Sequence, residues 1–277
     1  MYSHSLLISS EVCESPALGT ERVLRIEKKA SPMPTALVTG SATGVGRACA
    51  TRLAAAGFDV VVNYSRSADE AKETCRLVEA EGVSALLVKC DVSQNDAVVE
   101  MLRLIEQKFG HLDVLINNAG CTSPIPHRNL DEMTEEKWDR VLAVNLKGPF
   151  FVTRAAVPLL RKSDQGAVVN VSSIAGIGGT GSSIAYCASK GALNTMTKSL
   201  ARALAPEIRV NAVCPGPIDT RWMTAWMTQE EIEKMTAHDP IPRASSPDDI
   251  ADAILFLAIG SQMMTGQCIV VDGGRTI

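Results

Sequence analysis

Hydrophobic positions from residue 34 onward fall into short continuous runs rich in Val, Ile and Leu, and these runs alternate with segments of helical periodicity. A continuous apolar run is typical of a strand buried on both faces, whereas a half-exposed strand alternates apolar and polar positions. The alternation predicts βαβ units and one parallel sheet with helices on both faces, an α/β fold. The predicted strands are 35–39, 58–63, 83–90, 112–117, 167–172, 209–214 and 268–271.

Residues typical of helix ends lie between the predicted strands. Three helical segments are each followed by a glycine, the residue that most readily takes the left-handed conformation after a helix. These glycines are Gly57, Gly82 and Gly110. Ser93 stands where the third helix should begin, and Ser246 with Pro247 predicts the N-cap and first turn of the last long helix.

The segment 216–245 interrupts the alternation of strands and helices. Thr228 and Glu231 have the spacing of a capping box, which predicts a short helix within this segment. The prolines that flank it are Pro217, Pro240 and Pro242. The segment follows the carboxyl end of the sixth strand, the edge at which open α/β sheets bind ligands, so we predict a small lid.

The composition is that of a globular protein, with 277 residues, 46% of them hydrophobic, and a formal net charge of −4. This charge argues against a nucleic-acid-binding protein, which needs a concentrated basic surface. No apolar run approaches the ~18 residues of a membrane span, and the eight cysteines form neither a Cys-x-x-Cys pair nor a Cys/His cluster. We therefore expect a soluble, cytoplasmic protein with reduced thiols, no metal, and neither a nucleic-acid nor a membrane partner.

Residues 1–32 differ from the rest of the chain because they are rich in Ser and Glu and lack a lasting hydrophobic period. A secretory signal needs a longer apolar stretch after an early positive charge, and a mitochondrial leader avoids acidic residues. We expect residues 1–32 to be a disordered N-terminal extension, with Met33 as an alternative start. Residues 33–277 are then expected to form a single domain that includes the lid.

A glycine-rich turn follows the first predicted strand and opens the first predicted helix, in the pattern Thr39-Gly40-x-x-x-Gly44-x-Gly46. Glycines at such a turn let the backbone approach a pyrophosphate, whose charge then lies at the positive end of a helix. Loops also collect glycine for steric reasons, so the turn alone is weak evidence. Its position at the start of a βα series favours dinucleotide binding, although the spacing is not the common G-x-G-x-x-G.

Further segments follow this turn in a characteristic order. They are Asn117-Asn118-Ala119-Gly120, Asn145, Ser173, Tyr186-x-x-x-Lys190, Pro215-Gly216 with Thr220, and Val271-Asp272-Gly273-Gly274. From about residue 34 to its end the chain resembles the short-chain dehydrogenase/reductase family, above all its 3-oxoacyl-[acyl-carrier-protein] reductase branch. The resemblance implies a single Rossmann-like, doubly wound domain with about seven parallel strands and a nicotinamide cofactor. It also implies hydride transfer between that cofactor and a carbonyl or secondary alcohol.

Tyr186 and Lys190 are four residues apart in a segment of helical pattern, so their side chains share one helix face. A phenol has a pKa of about 10, and a neighbouring ammonium group favours phenolate. Tyr186 can therefore give a proton to a carbonyl or take one from an alcohol. The resemblance gives Lys190 the further task of holding the cofactor ribose, and gives Ser173 that of stabilising the substrate oxygen. The resemblance also implies that Asn145, within a long helix predicted over about 135–160, holds a water that relays protons to Lys190.

The carboxyl end of the second strand indicates which cofactor is preferred, because NAD-selective folds place an acid there. The sequence is Asn63-Tyr64-Ser65-Arg66-Ser67, and we find no carboxylate at that end, since Asp59 lies at the opposite edge and Asp69 begins the next helix. Arg66 and the serines could bind a 2′-phosphate, so we predict NADP(H) over NAD(H). NAD(H) stays possible, because Thr43 lacks the basic side chain of many NADP-using relatives. The predicted cofactor-binding residues are Gly40, Ser41, Thr43, Gly44, Val45, Gly46, Asn63, Tyr64, Ser65, Arg66, Asp91, Val92, Asn118, Ala119, Gly120, Tyr186, Lys190, Pro215, Gly216, Ile218 and Thr220.

The substrate is predicted less sharply than the cofactor. Reduction of a 3-oxoacyl thioester or related ketone and oxidation of a sugar, polyol or other secondary alcohol both agree with the resemblance. The aromatic and Met side chains of the lid could bind an apolar substrate or only pack the lid onto the domain. The predicted substrate residues are Cys121, Ser173, Gly179, Trp222, Met223 and Trp226. A non-catalytic NADP(H) sensor or scaffold is the other class of function, and the resemblance implies a homotetramer or homodimer.

Overall fold

The computed structural model describes residues 33–277, so the prediction for residues 1–32 lies outside the described residues. The continuous apolar runs form seven strands of one sheet. They are β1 (Thr35–Val38), β2 (Asp59–Tyr64), β3 (Ala85–Lys89), β4 (Val114–Asn117), β5 (Gly166–Val171), β6 (Ile208–Pro215) and β7 (Cys268–Val271). Each begins and ends within two residues of its predicted bounds.

The seven strands are all parallel and follow the order β3-β2-β1-β4-β5-β6-β7. The order reverses between β1 and β4, and in open α/β sheets the ligand crevice lies at the carboxyl ends of the strands beside such a reversal. This topology confirms the predicted doubly wound α/β fold with one seven-stranded parallel sheet and helices on both faces.

Helices connect the strands and cover both faces of the sheet. They are α1 (Gly44–Ala55), α2 (Ala68–Glu79), α3 (Asn95–Phe109), α4 (Glu135–Leu142), α5 (Gly148–Leu160), α6 (Ala175–Gly178), α7 (Ile184–Leu204), α8 (Arg221–Thr224), α9 (Gln229–Thr236) and α10 (Pro247–Leu255). Successive strand residues point to opposite faces: Val38 packs in the core beneath α1 and α10, and its neighbour Leu37 packs in the core beneath α3 and α5. Both faces are therefore buried, which is why the strands read as continuous apolar runs.

The helix ends agree with the sequence at most positions. The glycines after α1, α2 and α3 have φ values of +85°, +83° and +79°, in the left-handed region where glycine has no steric cost. These residues are Gly57, Gly82 and Gly110. Ser246 caps α10 and accepts a hydrogen bond from the N–H of Asp249, whose carboxylate completes a capping box. The prediction for Ser93 is wrong: α3 begins after Gln94, and the Ser93 hydroxyl donates instead to Asp91 Oδ1 at 2.7 Å.

The helix predicted over about 135–160 is interrupted. A π-helical turn at Ala143–Lys147 separates α4 from α5 and contains Asn145. Pro149 has no N–H to donate to the carbonyl of Asn145, its acceptor four residues back in a regular α-helix, so the hydrogen-bond ladder cannot continue unchanged. Such turns are frequent at functional sites.

The predicted lid contains the short helices α8 and α9. The Thr228–Glu231 capping box predicted for α9 is confirmed. The two ends of the lid meet at a bridge between Ile218 and Ser245, where the N–H of Asp219 donates to the Ser245 carbonyl at 2.8 Å.

Three further properties concern residues 33–277 only. None of their helices is long and apolar enough to cross a membrane. Their seven cysteines are free thiols, and no three His, Cys, Asp or Glu side chains among them form a group that could hold a metal ion.

Candidate active site

The glycine turn between β1 and α1 forms a close-packed floor at the carboxyl edge of the sheet. Gly40 and Gly44 have φ values of +64° and +57°. A Cβ on Gly46 would lie 2.5 Å from both the Asn118 side-chain nitrogen and the Gly40 carbonyl oxygen. Only glycine fits at Gly46, and α1 begins at this turn, so the floor offers close backbone approach and a positive helix end. This geometry fits the pyrophosphate of a dinucleotide.

Side chains from the neighbouring strands hold the floor from beneath. The Asn118 amide donates to the carbonyls of Thr39 and Gly40 at 2.9 and 3.0 Å, and the Thr39 hydroxyl accepts from the N–H groups of Asn118 and Ala119. The buried Asn63 accepts from the Gly40 N–H at 3.1 Å. Asn63 and Asn118 were both predicted to bind the cofactor. Their side chains instead hydrogen-bond the backbone and fix the conformation of the turn.

Arg47 links the floor to α2 by hydrogen bonds. It is not among the predicted site residues. Its guanidinium donates to the carbonyl oxygens of Ala42 and Glu70 at 2.7 and 2.8 Å, and to the Thr74 hydroxyl at 2.9 Å. Neither hydrophobic period nor local spacing predicts such a contact, because two of its three partners lie in another helix.

The end of β2 differs from the prediction in one respect. Ser65 and Arg66 are exposed, and within residues 33–277 the Arg66 guanidinium makes no hydrogen bond or ion pair. The sequence predicts no carboxylate at this end, but Glu70 lies there, in the first turn of α2. Its Oε1 forms an ion pair with Arg221 Nη1 at 2.5 Å, and Arg221 Nη2 donates to Ser67 Oγ at 2.6 Å.

Asp91 follows β3, and its carboxylate is fully engaged. It accepts hydrogen bonds from the N–H and hydroxyl of Ser93 at 3.0 and 2.7 Å and forms an ion pair with Arg140 at 3.0 Å. Burial opposes ionisation of Asp91, but these hydrogen bonds and the Arg140 charge outweigh it, so the pKa of Asp91 is lowered.

Val92 is buried against Gly148, where a Cβ would lie 2.8 Å from its Cγ2.

The loop after β4 is held by Asn145, which is fully buried in the π-helical turn. Asn145 Oδ1 accepts from the N–H of Cys121 at 2.8 Å, and Nδ2 donates to the Cys121 carbonyl at 2.9 Å and to the Ser189 hydroxyl at 3.1 Å. The Asn145 amide therefore fixes the backbone beside Gly120 and links it to α7.

Ser173, Tyr186 and Lys190 come together above this loop. Ser173 follows β5, while Tyr186 and Lys190 lie one turn apart on α7. The buried Lys190 Nζ donates to the Val171 carbonyl at 2.7 Å and lies 5.6 Å from the centre of the Tyr186 ring. The hydroxyl of the neighbouring Ser172 turns inward and donates to the Lys190 carbonyl at 3.2 Å. Ser173 is thus the serine that faces Tyr186.

Burial perturbs both titratable groups of this cluster. It raises the pKa of Tyr186 to about 12, against the opposing effect of a hydrogen bond with Ser173. It lowers the pKa of Lys190 to about 8. Near neutral pH the phenol is therefore protonated, and the ammonium group beside it is still charged, an arrangement suited to a proton donor.

The lid covers the open side of the cluster. Trp222 lies over Gly120, where a Cβ would be 3.5 Å from the indole ring, and meets the Tyr186 ring edge to face at 6.3 Å between ring centres. Thr220 lies against the floor, 3.4 Å from a Cβ built on Gly44. Of the predicted substrate residues, Cys121, Ser173 and Trp222 therefore surround Tyr186.

The other predicted lid and loop residues differ in exposure and packing. Met223 is buried, Trp226 is 42% exposed, and Gly179 is exposed with φ of +69° and open space around it. Pro215 ends β6, and Gly216 packs on Asp272, which a Cβ would approach to 2.9 Å.

Comparison with known proteins places this arrangement among related chains. A family model described as "Enoyl-(Acyl carrier protein) reductase" matches residues 40–276. The "Granaticin polyketide synthase putative ketoacyl reductase 2" of Streptomyces violaceoruber is 42% identical over 242 residues, 87% of this chain and 95% of its own. The 3-oxoacyl-[acyl-carrier-protein] reductase FabG of Staphylococcus aureus is 39% identical over 241 residues, 86% of this chain and 96% of its own.

A solved structure extends the likeness to three dimensions. The crystal structure of a "putative short-chain dehydrogenase/reductase" from Burkholderia xenovorans matches with a TM-score of 0.83 and 41% sequence identity. The match covers 88% of this chain and 98% of the other. The family-model match over residues 40–276 includes the glycine turn from Gly40, the Tyr186 cluster and the lid.

Proposed function

Since the chain belongs to the short-chain dehydrogenase/reductase family, whose members act on C=O and CH–OH groups, we propose that it is an NADPH-dependent reductase of 3-oxoacyl thioesters or closely related ketones. The observation that carries this proposal is the cluster of Ser173, Tyr186 and Lys190 beside a floor that only glycine can form. A sensor or scaffold would have no need of a protonated phenol beside a buried ammonium group.

In the proposed reaction the bound nicotinamide supplies the hydride, and the chain supplies the proton and the charge stabilisation. Tyr186 donates its phenolic proton to the substrate oxygen, since burial keeps that proton in place at neutral pH. The Lys190 ammonium stabilises the phenolate that remains. Ser173 donates a hydrogen bond to the substrate oxygen as negative charge develops there. Asn145 fixes the loop that borders the reacting atoms and, by resemblance, helps to hold the relay water.

The cofactor part of the proposal rests on the floor and on the end of β2. The glycine turn would hold the pyrophosphate, and Pro215, Gly216, Ile218 and Thr220 would hold the nicotinamide carboxamide, as the resemblance implies. The Arg66 guanidinium lies next to Ser65 and has no partner among residues 33–277, which supports preference for a 2′-phosphate and hence for NADPH.

The substrate part rests on the named relatives and on the lid. The two proteins from Streptomyces violaceoruber and Staphylococcus aureus are named for ketoacyl and 3-oxoacyl reduction. Trp222 and Cys121 border the proposed reacting centre with apolar surface, which suits an acyl chain better than a polyol.

We further propose that the catalytic unit is residues 33–277 and that it assembles as a homotetramer or homodimer. The resemblance implies pairing through the helices around 135–160 and 185–204 and through the C-terminal region. The exposed aromatic side chains of Phe150 on α5 and Phe256 after α10 support such contacts.

The test is steady-state oxidation of NADPH and, in parallel, NADH against one panel of 3-oxoacyl thioesters, enoyl thioesters, diketones, quinones and keto-sugars. We expect turnover with NADPH and a 3-oxoacyl thioester. Turnover only with enoyl thioesters would replace ketone reduction by reduction of a C=C bond. Turnover confined to keto-sugars would favour a polyol dehydrogenase, and binding of NADPH without any turnover would favour the sensor.

A further inference from the structure

One contact crosses from the lid to the end of β2. Arg221, the first residue of α8, bonds Glu70 through Nη1 and Ser67 through Nη2, at 2.5 and 2.6 Å. Glu70 and Ser67 are more than 150 positions away in sequence and lie at the start of α2. The guanidinium thus joins the two walls of the crevice at the place where β2 ends.

The groups around this contact have the chemistry of an anion site. Ser67 is the N-cap residue of α2, yet its hydroxyl caps no backbone N–H and instead faces Arg221. Arg66, the preceding residue, presents a guanidinium that has no partner within residues 33–277. The carboxylate of Glu70 is the exception, because it would repel a phosphate unless a cation neutralises it.

We propose that Arg221 is a ligand of the cofactor's 2′-phosphate carried by the lid, and that Glu70 holds its guanidinium beside the end of β2 until the phosphate takes its place. The proposal rests on the proposed use of NADPH. It adds a second guanidinium, from another part of the chain, to that of Arg66, and it gives the lid a direct means of distinguishing NADPH from NADH.

The exchange is physically favourable. The side chains of Arg221 and Glu70 are 54% and 42% exposed, and ion pairs at such exposure contribute little free energy. A phosphate dianion offers the guanidinium fork three acceptor oxygens and a larger charge than a single carboxylate does. Trp222, the next residue, lies against Gly120 and Tyr186, so movement of Arg221 is transmitted to the reacting centre.

The test measures binding by calorimetry with three adenine nucleotides: 2′,5′-ADP, which carries the 2′-phosphate, 5′-AMP, which lacks it, and 5′-ADP, which carries a pyrophosphate. For Arg221→Gln we expect the affinity for 2′,5′-ADP to fall about tenfold, the loss of one charge-assisted hydrogen-bonded contact. Affinity for 5′-AMP and 5′-ADP should change less than about twofold. Arg221→Lys, which keeps the charge without the fork, should recover part of the loss.

Two other variants complete the design. Glu70→Gln removes the competing charge and should leave binding of 2′,5′-ADP equal or stronger. Arg243→Gln is the matched control, since Arg243 is an exposed lid arginine paired with Asp249 at 2.7 Å and should leave all three affinities unchanged. The thermal midpoint of each variant checks that it is folded.

The outcomes separate the two proposals. Unchanged binding of 2′,5′-ADP by Arg221→Gln would make the contact a structural ion pair and leave NADPH use intact. A loss for 5′-ADP with unchanged binding of 2′,5′-ADP would assign Arg221 to the pyrophosphate, and equal losses for all three nucleotides would assign it to their shared 5′-phosphate. Weaker binding of 2′,5′-ADP by Glu70→Gln would overturn the exchange. If the unaltered protein binds 2′,5′-ADP no better than 5′-AMP, the proposed NADPH preference fails, and the role of Arg221 fails with it.

Discussion

The floor of the crevice and its lid are held by different kinds of contact. The floor is fixed by uncharged hydrogen bonds. The Asn63 and Asn118 side chains bond backbone groups of the glycine turn, and the Thr39 hydroxyl accepts from backbone N–H groups after β4. The lid is tied to its surroundings by exposed charged side chains, such as those of Arg221 and Arg243. Buried hydrogen bonds to backbone resist rearrangement, whereas exposed ion pairs exchange partners at small cost. The comparison indicates a preformed floor and a lid that responds to its ligand.

The largest expected effect is at the reacting centre. Tyr186→Phe should lower kcat for ketone reduction by about 10²- to 10⁴-fold, because the proton donor is lost. NADPH affinity, measured by fluorescence titration, should stay within about twofold because the floor is untouched. The matched lid variant Trp222→Phe should alter KM more than kcat. Near-normal turnover by Tyr186→Phe would refute the proposed proton donor.

The next effect tests whether the floor is as rigid as its contacts indicate. Gly46→Ala places a methyl group 2.5 Å from the Gly40 carbonyl and the Asn118 amide, so it should lower the free energy of unfolding by about 1–3 kcal/mol and weaken NADPH binding. Gly178→Ala is the control, since its nearest neighbour, the Thr180 hydroxyl, is 3.7 Å away. Urea unfolding measures the free energy of unfolding of both variants. If Gly46→Ala changed neither the free energy of unfolding nor NADPH binding, the floor would not be rigid.

A smaller effect is expected from pH. Burial lowers the pKa of Lys190 to about 8, so its ammonium form is populated below that pH and lost above it. The charge that stabilises the Tyr186 phenolate disappears as pH rises, and kcat for reduction should fall above about pH 8, by up to about tenfold per pH unit. Tyr186 keeps its own proton over this range, because its pKa is raised to about 12. A flat profile between pH 7 and about 9 would contradict this role of Lys190.

The smallest effect concerns the lid alone. Thr228→Ala removes the N-cap of α9 and should cost about 1 kcal/mol or less of unfolding free energy, because the cap is exposed. NADPH affinity should not change, whereas an equal loss of unfolding free energy caused by a change in the floor would alter that affinity. Hydrogen exchange of the α9 amides locates the effect. Weakened cofactor binding would show that lid and floor are coupled more tightly than their contacts indicate.

The elements that the sequence predicted are those with a local cause. Buried strands need continuous apolar runs, and the left-handed residues after three helices need glycine, so both could be read along the chain. The interruption at Ala143–Lys147 also has a local cause, Pro149, but a proline early in a helical segment is equally consistent with a helix start. The misassigned Ser93 shows competing bonds, because its hydroxyl donates to Asp91 and accepts from Arg140 instead of capping α3.

The site divides in the same way. Tyr186 and Lys190 share a face because they are one helical turn apart, which spacing alone predicts. Arg47 and Arg140 support the floor and Asp91 through partners on other elements, and no periodicity reports such pairs. The ion pair of Glu70 with Arg221 joins positions brought together only by the completed sheet.

The bridge between Ile218 and Ser245 has a consequence for how such a chain can diversify. The lid begins after β6 and ends beside its own start, just before α10, so the residues between Ile218 and Ser245 are an insertion with adjoining ends. Its length and sequence can be exchanged as a cassette while β6, α10 and the floor keep their places. Grafting another lid that keeps Thr220 and Arg221 is therefore a direct route to a new substrate range with the proposed cofactor contacts retained.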